Sequence, residues 1–124
     1  MKKMILCLLI VGLNSPALWA ASQNETASHY SQKIAFKNWA LSRCLSKAYG
    51  EGKPKDDGEL SASAYLEQGN TGIAWYAGAD ALVAQFLSRR YEGSVKGDYN
   101  TMKCIDLYHS AALEKLAHQA TGRR

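Results

Sequence analysis

Two cysteines, Cys44 and Cys104, stand far apart in the body of this 124-residue chain, and whether they are joined constrains its fold more than any other feature. The answer turns on the compartment, because disulfides persist in oxidising surroundings and are rare in the cytosol. The N-terminus points to export. Lys2 and Lys3 precede ten uncharged residues, Met4 to Leu13. Asn14, Ser15 and Pro16 then interrupt the apolar run, and Ala17-Leu18-Trp19-Ala20 leads into small residues. This is the three-part layout of a secretory signal peptide. The apolar run is about half the ~20 residues that a bilayer-spanning helix needs, which weighs against the alternative of an uncleaved anchor. Cleavage is expected after Ala20, giving a signal peptide over 1–20 and one mature domain over 21–124.

Cleavage removes Cys7, which lies too early in the apolar run to be a lipid-bearing cysteine at the cleavage site. Cys44 and Cys104 remain, and in an exported chain a disulfide between them is the expected outcome. Two free buried thiols are the alternative. A bridge closing so long a loop would contribute roughly 4 kcal/mol through the entropy of the unfolded chain. Cleavage also takes Lys2 and Lys3, so the 15 basic residues fall by two against 11 acidic, and the net charge drops from +4 to +2. No basic run longer than Arg89-Arg90 or Arg123-Arg124 remains. Nucleic-acid binding therefore has no compositional support, and no segment of the mature chain is suited to a membrane.

The mature chain reads as all-α, a small bundle of about four main helices. From about Ser28 to Tyr49, Ile34, Leu41, Leu45 and Ala48 form one stripe, with Phe36, Ala40 and Cys44 beside it. Gly50 stops this helix, and Gly52-Lys53-Pro54 extends the break. Asp56 and Glu59 suggest a capping box for a second helix through Gln68, with Leu60, Ala64 and Tyr65 facing inward. A third helix is expected over Ile73 to Arg90. Its inner face is Ala79, Leu82, Val83, Phe86 and Leu87, and Arg89 and Arg90 complement the dipole in its last turn. The segment from Tyr91 to Asn100 carries two glycines and reads as a loop. Asn100 or Thr101 would cap a fourth helix to about Gln119, with Ile105, Tyr108, Ala112, Leu113 and Leu116 inside. The Cys44–Cys104 bridge would then tie the end of the first helix to the start of the last.

Catalytic chemistry finds no purchase. HExxH, CxxC, GxSxG and glycine-rich phosphate cradles are all absent. His29 precedes the first packed helix and is expected in solvent, while His109 and His118 are too far apart to stack on one helical face. A Cys104–His109 nucleophile pair has poor spacing, and a disulfide would consume its thiol. Asp56, Asp57 and Glu59 could form an acid/base or cation site, but capping and dipole complementarity at a helix start explain them more simply. Asp106 is expected to pair with Lys103 or Arg43. No catalytic, cofactor or metal residue is assigned. Among the large anchors, Trp39 is read as core, and Trp75 and Tyr76 as either core or interface.

Three segments resemble one family: Phe36-Lys37-Asn38-Trp39-Ala40-Leu41-Ser42-Arg43-Cys44-Leu45, Ser61-Ala62-Ser63-Ala64-Tyr65-Leu66-Glu67, and Asn100-Thr101-Met102-Lys103-Cys104-Ile105-Asp106-Leu107-Tyr108-His109-Ser110. They look like the immunity proteins that protect bacteria from type VI secretion amidase effectors, specifically the partners of the fourth amidase family, to which the resistance-associated immunity proteins are related. The resemblance runs from about Ser31 to Leu116, and the third segment is its most specific part. It implies a small, helical, periplasmic protein and no enzyme. The implied partner is a papain-fold cysteine amidase that cuts peptidoglycan stem peptides at the D-glutamyl–diaminopimelate bond. It also implies a homodimer holding two amidases in a 2:2 assembly, with a protruding loop in the enzyme's active-site groove.

An inhibitor of that kind needs a pre-ordered surface rather than a reactive group. The expected plug is the Tyr91–Asn100 loop, whose effector-binding residues would be Tyr91, Glu92, Gly93, Ser94, Val95, Lys96 and Tyr99. A second candidate is the Gly69–Tyr76 segment, through Trp75 and Tyr76. A reading from another class is a periplasmic carrier of a small apolar ligand, or a chaperone-like adaptor, which would require a sizeable apolar cavity.

Overall fold

The computed structural model describes residues 29–122. The expected signal peptide over 1–20 and the Arg123-Arg124 pair lie outside the described residues. The first helix, expected from about Ser28, begins only at Gln32, because residues 29–31 are not helical and Ser31 is its N-cap. Within them the chain is all-helical, with α1 (Gln32–Ala48), α2 (Lys53–Gln68), α3 (Ile73–Leu87), α4 (Asn100–His109) and α5 (Ala111–Thr121).

The first helix is the axis of the bundle and touches each of the other four. Ser31 caps it, its Oγ accepting from the Ile34 N–H at 3.4 Å. Ala35, Phe36, Trp39, Ala40 and Cys44 are buried along it, while the Ile34, Leu41, Leu45 and Ala48 stripe is half-buried at the flank. The chain turns at Gly50 and Gly52, both at positive φ (65° and 89°), a region that an L side chain disfavours. Gly52 is the N-cap of α2, and Pro54 sits in its first turn, where a missing N–H costs nothing. Thus α2 begins three residues before the expected Asp56, and the Asp56–Glu59 capping box does not form.

The inner face of α2 also differs from expectation. Leu60 is 70% exposed and Ala64 is exposed, whereas Gly58 and Ala62 are buried. A Cβ at Gly58 would lie 2.9 Å from the Ser46 Cβ and 3.0 Å from the Ser42 carbonyl oxygen. The helices meet through small residues at i, i+4 spacing, so their backbones come too close for leucines. Among the described residues α2 packs on α1 alone, held at its far end by Gln32. That side chain donates to the Gln68 carbonyl (2.9 Å) and accepts from the Asn70 N–H (2.8 Å).

In α3, Tyr76, Ala79, Val83 and Phe86 are buried at the expected spacing, with Leu82 and Leu87 half-buried. The helix ends at Leu87, so Arg89 and Arg90 fall beyond it rather than in its last turn. The Arg89 guanidinium lies over the Phe86 ring at 3.4 Å.

The expected fourth helix is two helices. Ser110, in extended conformation (φ −70°, ψ 144°), closes α4 and opens α5. Its Oγ donates to the Leu107 carbonyl at 2.7 Å and accepts from the Leu113 N–H at 3.1 Å. The break has a packing reason. Leu107 and Leu113 are both 0% exposed, yet six residues along one straight helix would point them about 120° apart around its axis. Bending at Ser110 lets both enter the core, and Ile105 (49% exposed) and Ala112, expected inside, face outward.

The cysteines are joined. Cys44 and Cys104, each 0% exposed with Cα atoms 5.6 Å apart, clamp the last turns of α1 to the first turns of α4. The same junction is stitched by Asn100 Nδ2 donating to the Ala48 carbonyl (3.1 Å) and by a hydroxyl contact between Tyr49 and Thr101. Asn100 therefore caps the end of α1 instead of the start of α4, where Tyr99 occupies the N-cap position.

Candidate functional site

The longest irregular segment among the described residues joins α3 to α4 and contains the expected plug. Its ends are pinned by two tyrosines. Tyr91 donates to Asp106 Oδ2 of α4 at 2.5 Å, and this bond to the carboxylate, reinforced by desolvation, raises the Tyr91 pKa above the usual phenol value. Asp106 thus pairs with Tyr91, not with Lys103 or Arg43. Tyr99 is in the left-handed region (φ 53°), the one non-glycine there among the described residues. Its hydroxyl donates to the Val95 carbonyl across the loop. Gly93 lies against that ring so closely that a Cβ would come 2.9 Å from Tyr99 Cζ. Its glycine character serves a close approach.

Between these struts, Glu92 to Asp98 are exposed. Val95 is 73% exposed near the middle, an apolar side chain held out by a braced backbone. Beneath the loop lies an open concavity of about 730 Å³ lined by Leu87, Arg89, Arg90, Tyr91, Tyr99 and Lys103 among others. Lys103 is missed by periodicity reasoning. Only 6% exposed, it donates to the Leu87 carbonyl (3.2 Å) and to Asn100 Oδ1 (3.3 Å).

The second expected segment fares differently. Tyr76 is 4% exposed, packed against Phe36 (ring centroids 5.1 Å apart) and Trp39 (4.8 Å), which leaves little of it to present to a partner. Its pKa is raised by burial, against a hydrogen bond with Thr71. Trp75 is half-buried and packs against the core. The large apolar side chain displayed here is Ile73, 76% exposed.

The remaining charges serve the frame. Arg43 grips Asp80 through two nitrogens (3.2 and 3.1 Å), and Lys47 adds a third contact at 3.3 Å. Burial pushes the Asp80 pKa up, but the two cations outweigh it and the net direction is down. Glu59 of the acidic cluster accepts from Ser46 (3.4 Å) and pairs with Lys55 (3.8 Å). Among the described residues no group of three His, Cys, Asp or Glu is placed to hold a metal.

The Tyr91–Asn100 loop thus stands on an all-helical frame closed by the Cys44–Cys104 disulfide. The family profile of Tai4, described as type VI secretion system amidase immunity protein, matches residues 34–117. The chain belongs to the Tai4 family. It is an immunity protein and not an enzyme. Among solved structures, a chain of the Tae4/Tai4 effector–immunity system from Salmonella typhimurium is 41% identical, with a TM-score of 0.69 over 77% of this chain and 90% of that one. The Tae4–Tai4 complex from Enterobacter cloacae gives 30% identity and a TM-score of 0.66, covering 74% and 94%. A structure of type VI-secreted toxins and self-resistance proteins from Serratia marcescens gives 26% and 0.69, covering 82% and 91%. No curated protein matches at a comparable level. The Tai4 match runs from the first turn of α1 into α5, so the loop, its struts and the disulfide all lie within it.

Proposed function

We propose that the mature chain acts in the periplasm, where it binds a Tae4-like amidase and occludes the active site with the Tyr91–Asn100 loop. The target chemistry is hydrolysis of the D-glutamyl–diaminopimelate bond by a papain-fold cysteine enzyme, which a filled groove would stop without any reaction by the inhibitor. One observation carries this reading: the loop is ordered before it meets a partner, through the Tyr91–Asp106 and Tyr99–Val95 contacts. A plug already in shape loses little conformational entropy on binding, and Val95 offers an apolar group for a pocket. The Tai4 of Enterobacter cloacae is found in complex with Tae4 from its own species and from Salmonella typhimurium, which supports the partner class. A homodimer, and with it a 2:2 complex, belongs to the same proposal. The carrier reading gains nothing, because the concavity beneath the loop is open and bordered by Arg89, Arg90, Glu92, Lys96 and Asp98.

The test mixes residues 21–124 with a purified Tae4 amidase and follows cleavage of peptidoglycan stem peptides. Stoichiometric loss of cleavage and a complex on gel filtration are expected. Val95→Glu changes an exposed side chain without touching the carbonyl that Tyr99 uses, so it should keep the helical spectrum and weaken inhibition at least about tenfold. Full inhibition by that variant would move the plug elsewhere. Light scattering at micromolar concentration should give twice the monomer mass.

A further inference from the structure

Lys103 is an uneconomical residue for a small domain. The residue is only 6% exposed, and its ammonium lies among a backbone carbonyl, an amide oxygen and, at 5.9 Å from its centroid, the Tyr91 ring. Among the described residues it forms no ion pair. A charge taken from water without an opposite charge is a net cost to folding, and an apolar residue of similar shape is often as good or better. Stability alone therefore gives a poor account of it.

Its contacts suggest another. Leu87 is the last residue of α3, where the chain leaves for the loop, and the ammonium holds that terminal carbonyl. Asn100 is the first residue of α4, where the chain returns, and is itself fixed to Ala48 at the end of α1. Tyr91, the first strut, lies against the same ammonium. One cation thus spans both roots of the loop and forms part of the floor beneath it. Cys104, the next residue, anchors that floor covalently to α1.

We propose that Lys103 is a positioning residue for inhibition: it sets the direction in which the Tyr91–Asn100 loop projects, and touches no partner itself. The proposal rests on the loop being the plug. Lys103→Met keeps the length and removes the donor. Its helical spectrum should match the wild type and its melting temperature fall by no more than a few degrees, while affinity for a Tae4 amidase falls about tenfold. The deciding readout is coupling. If Lys103 acts through the loop, Lys103→Met adds nothing to the loss already caused by Val95→Glu. Should Lys103→Met lose its fold, Lys103→Leu, which also removes the donor, carries the same comparison.

Unchanged affinity overturns the proposal, as do a loss that adds in full to that of Val95→Glu and a loss explained by lowered stability. If Val95→Glu alone binds as the wild type does, the loop reading itself falls and this inference with it. If Val95→Glu binds weakly and Lys103→Met binds normally, only the inference falls.

Discussion

Glu114 joins α5 to α1 by accepting from Lys33 (2.6 Å) and Lys37 (3.0 Å), and those two hydrogen-bonded cations lower its pKa from 4.5 to about 2. A carboxylate with a folded-state pKa below its unfolded value stabilises the fold above the unfolded value. That contribution is lost as pH falls from about 4.5 towards 2. Glu114→Gln should therefore flatten the dependence of the urea midpoint on pH within that window. Because the side chain is 47% exposed, the difference should shrink in high salt. An equal pH slope in both proteins would remove Glu114 from the acid response. Sequence patterning does not reveal such partners. Lys33, Lys37 and Glu114 look like ordinary surface charges until the helices are packed, just as Lys103 looks like a solvated residue and Asp106 like its partner. Tyr76, read as core or interface, is decided by two rings that lie far from it in sequence, Phe36 and Trp39.

At the scale of elements, periodicity located α1 and α3 because both carry apolar faces, although in α1 the face centred on Phe36, Ala40 and Cys44 is buried and the Ile34–Leu41–Leu45 stripe lies at its flank. It failed where the packing rule was different. The α1–α2 contact brings Gly58 against Ser42 and Ser46 and buries Ala62, and a search for bulky residues passes over such a face. The α4–α5 break was hidden because Ser110 sits inside a run of good helix formers. The available clue was Ser110 followed by Ala-Ala-Leu-Glu, an N-cap residue with an acid in the first turn of α5. Ser110 serves both helices, so Ser110→Ala removes the acceptor for Leu113 N–H and the donor to the Leu107 carbonyl together. The expected loss is about 1–2 kcal/mol, measured as a lower urea midpoint with an unchanged slope. A shift below a few tenths of a kcal/mol would mean that the bend is held by Leu107 and Leu113 alone.

Over the whole molecule, the Cys44–Cys104 bridge and the loop were readable in advance, the one from compartment and cysteine number, the other from its glycines and tyrosines. Their relation was not, because it depends on three-dimensional proximity: the bridge lies one residue from Lys103, under the roots of the loop. Two consequences separate here. The bridge closes a loop of 60 residues in sequence, so replacing both cysteines by alanine should cost about 4 kcal/mol in the chain-entropy account, a large share of a small domain's stability. Both cysteines are 0% exposed, so a thiol reductant cannot attack the native bridge until the structure opens. Reduction by dithiothreitol should consequently be slow in buffer and accelerate steeply in sub-denaturing urea, as followed by thiol alkylation and mass spectrometry. Fast reduction in buffer would show that the α1–α4 junction opens locally without global unfolding, and the loop roots on that junction could then not be a fixed platform. Slow reduction would mean that the frame beneath the loop opens only with the domain, the rigidity that an inhibitor working by occlusion requires.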